Sequence, residues 1–85
     1  YLRKGFGMFY FMEDYAGAEK EFLKALKLTR TDSLRSVIYG TLGDNRQKME
    51  DGPGAYGYYR KGLKYDPDNS MILNNYSYYL SEKDE

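Results

Sequence analysis

The sequence predicts an all-α fold. Three observations carry that prediction. Apolar residues recur at three- and four-residue spacing along nearly all the chain, and short breaks rich in Asp, Gly and Pro separate the segments so marked. No segment alternates apolar with polar residues for long enough to make a strand. The expectation is about five helices, roughly 1–12, 15–28, 32–49, 53–65 and 69–82, joined by short turns.

Phe6, Phe9, Tyr10 and Met12 suit the first helix, and Glu13-Asp14 marks its junction with the next. Asp14 is placed to accept from the free N–H groups that open a helix. Beyond it Tyr15, Ala18, Phe22, Leu23, Ala25 and Leu26 form one apolar stripe, with Glu19, Lys20, Glu21, Lys24 and Lys27 on the other side. Thr31, Asp32 and Ser33 are the next start signal, followed by Leu34, Val37, Ile38, Thr41 and Leu42 at helical spacing. Residues 50–54, Glu-Asp-Gly-Pro-Gly, are the strongest break, because Pro fits the first turn of a new helix. Ala55, Tyr58, Tyr59, Gly62 and Leu63 then make a stripe. Asp66-Pro67-Asp68-Asn69 stops that helix and caps another, along which Ile72, Leu73, Tyr76, Tyr79 and Leu80 recur.

Composition narrows the chemistry. Eighty-five residues make one small domain, and 13 basic residues balance 13 acidic ones. With no basic excess, neither nucleic acid nor an anionic membrane is an expected partner. There is no Cys for disulfides, thiolate metal sites or nucleophilic attack, and no His for metal ligation or general-base work. The longest charge-free stretch, 69–81, is 13 residues and carries several Asn and Ser. A bilayer span needs about 20 apolar residues, so membrane insertion is not expected. The expected protein is not an enzyme and takes no cofactor.

The chain also repeats itself. A shift of 37 superposes Ala18 on Ala55, Phe22 on Tyr59, Ala25 on Gly62, Leu26 on Leu63 and Leu28 on Tyr65. Small residues recur at two positions and an aromatic at a third. Helices approach closely only where small side chains leave room, and an aromatic then fills the adjacent groove. A partial third copy places Leu42-Gly43 on Tyr76-Ser77 at a shift of 34.

These residues resemble the tetratricopeptide repeat family, whose 34-residue unit is a helix pair. Its second-helix signature is present as Ala18/Phe22/Ala25, and again as Ala55/Tyr59/Gly62 followed by Pro67. The first-helix Leu-Gly is Leu42-Gly43. The stretch 73–80 is also similar to repeat proteins of bacteria. The first copy departs from the pattern at Gly5, Phe6 and Arg30. In the second copy Arg46 replaces an aromatic, and three extra residues lengthen the first helix.

The resemblance implies antiparallel helix pairs stacked as a right-handed solenoid: repeat one about 1–30, repeat two about 32–67, and the first helix of a third about 69–82. Residues 1–85 are then expected to be a single array and a fragment of a longer one, since the last stripe lacks its pair partner and no polar capping helix follows. Seven glycines lie past the first two residues of expected helices, each costing about 1 kcal/mol against Ala. Gly43 and Gly62 have a packing reason. Gly5, Gly7, Gly17, Gly40 and Gly57 have none at this level.

The resemblance also implies binding of a protein or peptide segment along a concave face lined by the first helix of each pair. Carried over by position, that face holds Arg3, Gly7, Tyr10, Gly40, Asp44, Gln47, Asn74, Tyr78 and Ser81. Asn74 and Tyr78, one turn apart, suit amide contacts and aromatic packing on a bound backbone. Some relatives clamp a carboxylate terminus at positions matching Arg3, Gly7, Asp44, Asn74 and Tyr78. Asp44 would repel a carboxylate and Gly7 offers no donor, so that specificity is not expected. The expected function is a non-catalytic interaction scaffold. The alternative is a structural subunit that packs end-to-end with neighbouring repeats or subunits.

Overall fold

A computed structural model describes residues 14–83, with side chains through residue 80. Among these residues are four helices and no strand: α1 (Tyr15–Leu28), α2 (Asp32–Lys48), α3 (Gly52–Tyr65) and α4 (Ser70–Lys83). The all-α class is therefore correct, and these four helices lie within about one residue of their expected bounds. The expected helix at 1–12 lies outside the described residues.

Local chemistry sets the boundaries. Asp14 caps α1 by accepting from the Gly17 N–H at 3.0 Å, and Thr31 caps α2 by accepting from Leu34 N–H at 3.3 Å. Asp51 caps α3 through the Gly54 N–H at 3.1 Å, and Asn69 caps α4 through the Ile72 N–H at 3.2 Å. Pro53 sits in the first turn of α3, where its missing N–H costs nothing. At the end of α2, Glu50 adopts a left-handed φ of 62°. Glu50 N–H then donates to Gln47 O at 3.0 Å and Asp51 N–H to Arg46 O at 2.9 Å. That pair of bonds is a Schellman turn, built here on a residue other than the usual Gly.

Cross-helix contacts fix the directions. Between α1 and α2, Asn45 Nδ2 donates to Tyr15 O at 2.8 Å near one end, and Arg35 Nη2 to Thr29 O at 2.9 Å near the other. Between α2 and α3, Arg46 reaches Asp51 at 3.1 Å, while Ser36 Oγ donates to Gly62 O at 2.8 Å. Sequential helices thus run antiparallel. By contrast α2 and α4 lie side by side and parallel, since Asn69 Nδ2 donates to Ser36 at 2.8 Å and Asn75 Nδ2 to Asp44 at 3.0 Å. α2 is the central element, packed on α1, α3 and α4.

The core has two parts. Ala18, Phe22 and Ala25 of α1 bury against Ile38 and Leu42 of α2; Ala55 and Tyr59 of α3 bury against Ile72 of α4. Both copies of the small–aromatic–small signature are therefore inside, including Gly62. Leu34 and Val37, part of the expected α2 stripe, are exposed instead. Three contact directions leave α2 no single apolar face, and Ser36, Gly40, Gly43 and Asn45 are buried in their place.

The glycines divide by what they face. A Cβ on Gly43 would enter the Tyr59 ring, and one on Gly62 would meet Ile72 Cδ1 and the Ser36 carbonyl. Gly40 has the packing reason the sequence did not supply: its Cβ would lie 2.7 Å from Met71 Cε and 2.8 Å from Ile72 Cγ1, so it sets the α2–α4 approach. At Gly17 a Cβ would enter the Asp14 capping carboxylate. Gly57 alone of these faces open space. Gly57→Ala is therefore expected to stabilise the chain by about 1 kcal/mol. An unchanged or lower urea midpoint would contradict that reading of the helix.

Candidate functional site

The first-helix positions picked from the sequence are distributed as follows. Arg3, Gly7 and Tyr10 lie outside the described residues, and of Ser81 only the backbone is described. Asn74 and Tyr78 are both exposed, Tyr78 at 59%. They follow Met71 and Asn75 along α4 at helical spacing, which sets them beside the α2–α4 seam. Tyr78 also packs edge-on against Tyr79, with ring centroids 5.2 Å apart. Gln47 is half-buried, and its Nε2 is enclosed without a hydrogen-bond partner.

Asp44 joins three helices. Its carboxylate accepts from the Tyr59 hydroxyl of α3, and from Asn75 Nδ2 of α4 at 3.0 and 3.1 Å. Asn75 is the acceptor position of an Asn-Tyr-Ser sequon, and its amide is committed to this bond inside a helix. Burial raises the Asp44 pKa above the usual carboxylate value, against the bonds from Tyr59 and Asn75 and the charge of Lys48, which lower it. Burial, then the Asp44 carboxylate, push the Tyr59 phenol far above its ordinary range.

The sign of the Asp44 effect follows by linkage. With its folded pKa raised, Asp44 contributes stability that is full below the unfolded value of about 4. That contribution is lost as pH rises through the higher folded value, because the buried group must then ionise. Asp44→Asn stays neutral throughout, and its Oδ1 can accept from both donors. The stability difference between Asp44→Asn and the native chain is expected to move in the variant's favour from pH 3 to pH 7. Denaturant midpoints at the two pH values measure it. A constant difference would show that Asp44 titrates alike folded and unfolded.

A second polar cluster was not legible as a unit in the sequence. Arg46 holds Glu19 of α1 with two bonds, Nε to Oε1 at 2.6 Å and Nη2 to Oε2 at 2.8 Å, and reaches the Asp51 cap at 3.1 Å. The Tyr58 hydroxyl adds a bond to the same Glu19 at 3.1 Å. Burial acts to lower the Arg46 pKa, and the bonded Glu19 outweighs it, for a net rise. The one available signal was the Arg at position 46, where the repeat pattern places an aromatic. Fully buried Asn45 and Ser36 complete the polar links between helices.

The residues from Asp66 to Asn69 form a turn in which Asp68 N–H donates to Asp66 Oδ1 at 3.1 Å. Among the described residues no cluster of acids has metal-site geometry, and no helix is long and apolar enough to cross a membrane. The class this fold defines is a helical repeat-like stack of short antiparallel helices. Comparison with protein-family models, with curated proteins and with solved structures gives no match.

Proposed function

We propose that this chain is a non-catalytic protein-interaction scaffold of tetratricopeptide-like helix pairs, stacked as a right-handed solenoid, which binds a peptide or protein segment on the face of its first helices. The supporting observation is the parallel pairing of α2 with α4 across Ser36–Asn69 and Asp44–Asn75, with α3 antiparallel to both. Successive first helices then line one face, and Asn74 and Tyr78 are presented on it beside Asp44 and Gln47. Preformed helices reduce the ordering entropy lost on binding.

The test is a peptide-display selection followed by calorimetry. Asn74→Ala, Tyr78→Ala is expected to weaken a selected peptide by about tenfold, or roughly 1.4 kcal/mol. Unchanged affinity would count against this face.

One observation favours a second reading, end-to-end packing with other helical repeats: Leu73 and Leu80 of α4 are 43% and 38% exposed, seven residues apart on one side of the helix. Leu80→Glu would then lower the mass seen by light scattering. A charge at Ile72 is no test of stacking, because Ile72 is fully buried and the chain would unfold.

A further inference from the structure

α1 and α3 both pack on α2 but hardly touch each other, meeting where Tyr58 bonds Glu19. Away from that contact, toward the end of α1 and the start of α2, the surface between them is built on Tyr39. The Tyr39 ring stacks on Tyr65, with centroids 5.8 Å apart and planes 9° apart, and meets Tyr58 at 6.2 Å. The Arg35 guanidinium lies over Tyr65 at 5.8 Å, and the Lys61 ammonium over Tyr58 at 5.8 Å. The result is a row, Arg35–Tyr65–Tyr39–Tyr58–Lys61, with a cation at each end. Tyr65 is 40% exposed.

Cations outnumber acids here although the whole chain is neutral, and the nearby acids Asp32 and Glu19 are already paired, with Arg35 at 2.8 Å and Arg46 at 2.6 Å. Between Gly52 and Tyr65, α3 contains Arg60, Lys61 and Lys64 and no acid. Lys27 and Arg30 stand at the end of α1, close to Arg35 through the bond from Arg35 to Thr29 O at 2.9 Å. Lys27, Arg30, Lys61 and Lys64 make no ion pair among the described residues. The helix dipole accounts for Lys27 and Lys64 in their last turns. It does not account for Lys61, set further back over a ring.

We propose that this tyrosine row is a docking surface for an extended acidic peptide segment of a partner protein. Its carboxylates pair with Lys61, Lys64 and the basic end of α1, and its apolar side chains lie against the edges of Tyr39 and Tyr65. Charge complementarity selects an acidic occupant. Single-stranded nucleic acid is the poorer fit, because it needs open ring faces for base stacking. Here the faces of Tyr58 and Tyr65 are engaged by neighbouring rings and cations. The surface is separate from Asn74 and Tyr78 on α4, so it stands or falls apart from the face proposed above.

Fluorescence polarisation with a labelled peptide of about ten residues, alternating Glu with Pro and Leu, tests the proposal. Controls are the same peptide with Lys for Glu and an oligouridylate of equal length. The acidic peptide is expected to bind with Kd on the order of 10–100 μM at low salt. Lys61→Glu, Lys64→Glu should weaken it at least about tenfold, while Asn74→Ala, Tyr78→Ala leaves it within about twofold. If the charge reversal lowers the helical circular dichroism, Lys61→Gln, Lys64→Gln replaces it, with a loss of about threefold expected. No saturable binding up to about 1 mM, equal binding of the Lys peptide, tighter binding of the oligouridylate, or indifference to the lysine variants would each overturn it.

Discussion

Tyr59→Ala is expected to destabilise the chain by about 4 kcal/mol, the range for deleting a fully buried aromatic. Tyr59 has no exposed surface, and its ring lies against Gly43 closely enough that no Cβ fits between them. Its hydroxyl is also a donor to Asp44, so truncation leaves both a cavity and a buried carboxylate short of one partner. For a chain of this size each kcal/mol lowers Tm by roughly 4–8 °C, so thermal melts should show the loss directly. Tyr59→Phe keeps the ring and removes only the donor, with an expected cost of about 1 kcal/mol. Equal effects of the two substitutions would mean that the hydroxyl, not the packing, secures α3.

Arg46→Ala should cost about 3 kcal/mol. The guanidinium joins Glu19 of α1 to the Asp51 cap of α3 from a position on α2, so one side chain ties three helices. Its side chain and that of Glu19 are 29% and 15% exposed, so removal leaves a largely enclosed carboxylate without its cation, held by the Tyr58 hydroxyl. Glu19→Ala leaves the Arg46 cation only its bond to Asp51. A double-mutant cycle of the two is expected to show coupling above about 1 kcal/mol. Additive effects would reduce the pair to an exposed bridge of little consequence.

Much of the helix layout was legible in the sequence. The caps Asp14, Thr31 and Asn69 and the break at Asp51-Gly52-Pro53 act through bonds to the next few residues, and each lies where its residue type suggests. The small positions at Gly43 and Gly62 were legible because both fall on small positions of the repeat pattern; the first faces the Tyr59 ring and the second Ile72. Gly40 was not, since its neighbours Met71 and Ile72 belong to a helix some thirty positions away. Of the candidate face, the sequence marked Asn74 and Tyr78, which are exposed, and also Asp44, whose carboxylate proves to be shared by Tyr59 and Asn75.

Helix identity, limits and class came from the sequence alone, because capping and periodicity are decided within a turn or two of chain. Tertiary structure decided which polar groups went inside. Ser36, Asn45, Glu19 and Arg46 carry no local signal of burial. Each depends on the rotation and register that bring a partner from another helix within hydrogen-bonding distance. The tyrosine row has the same origin: Tyr39, Tyr58 and Tyr65 adjoin only because α3 returns antiparallel along α2.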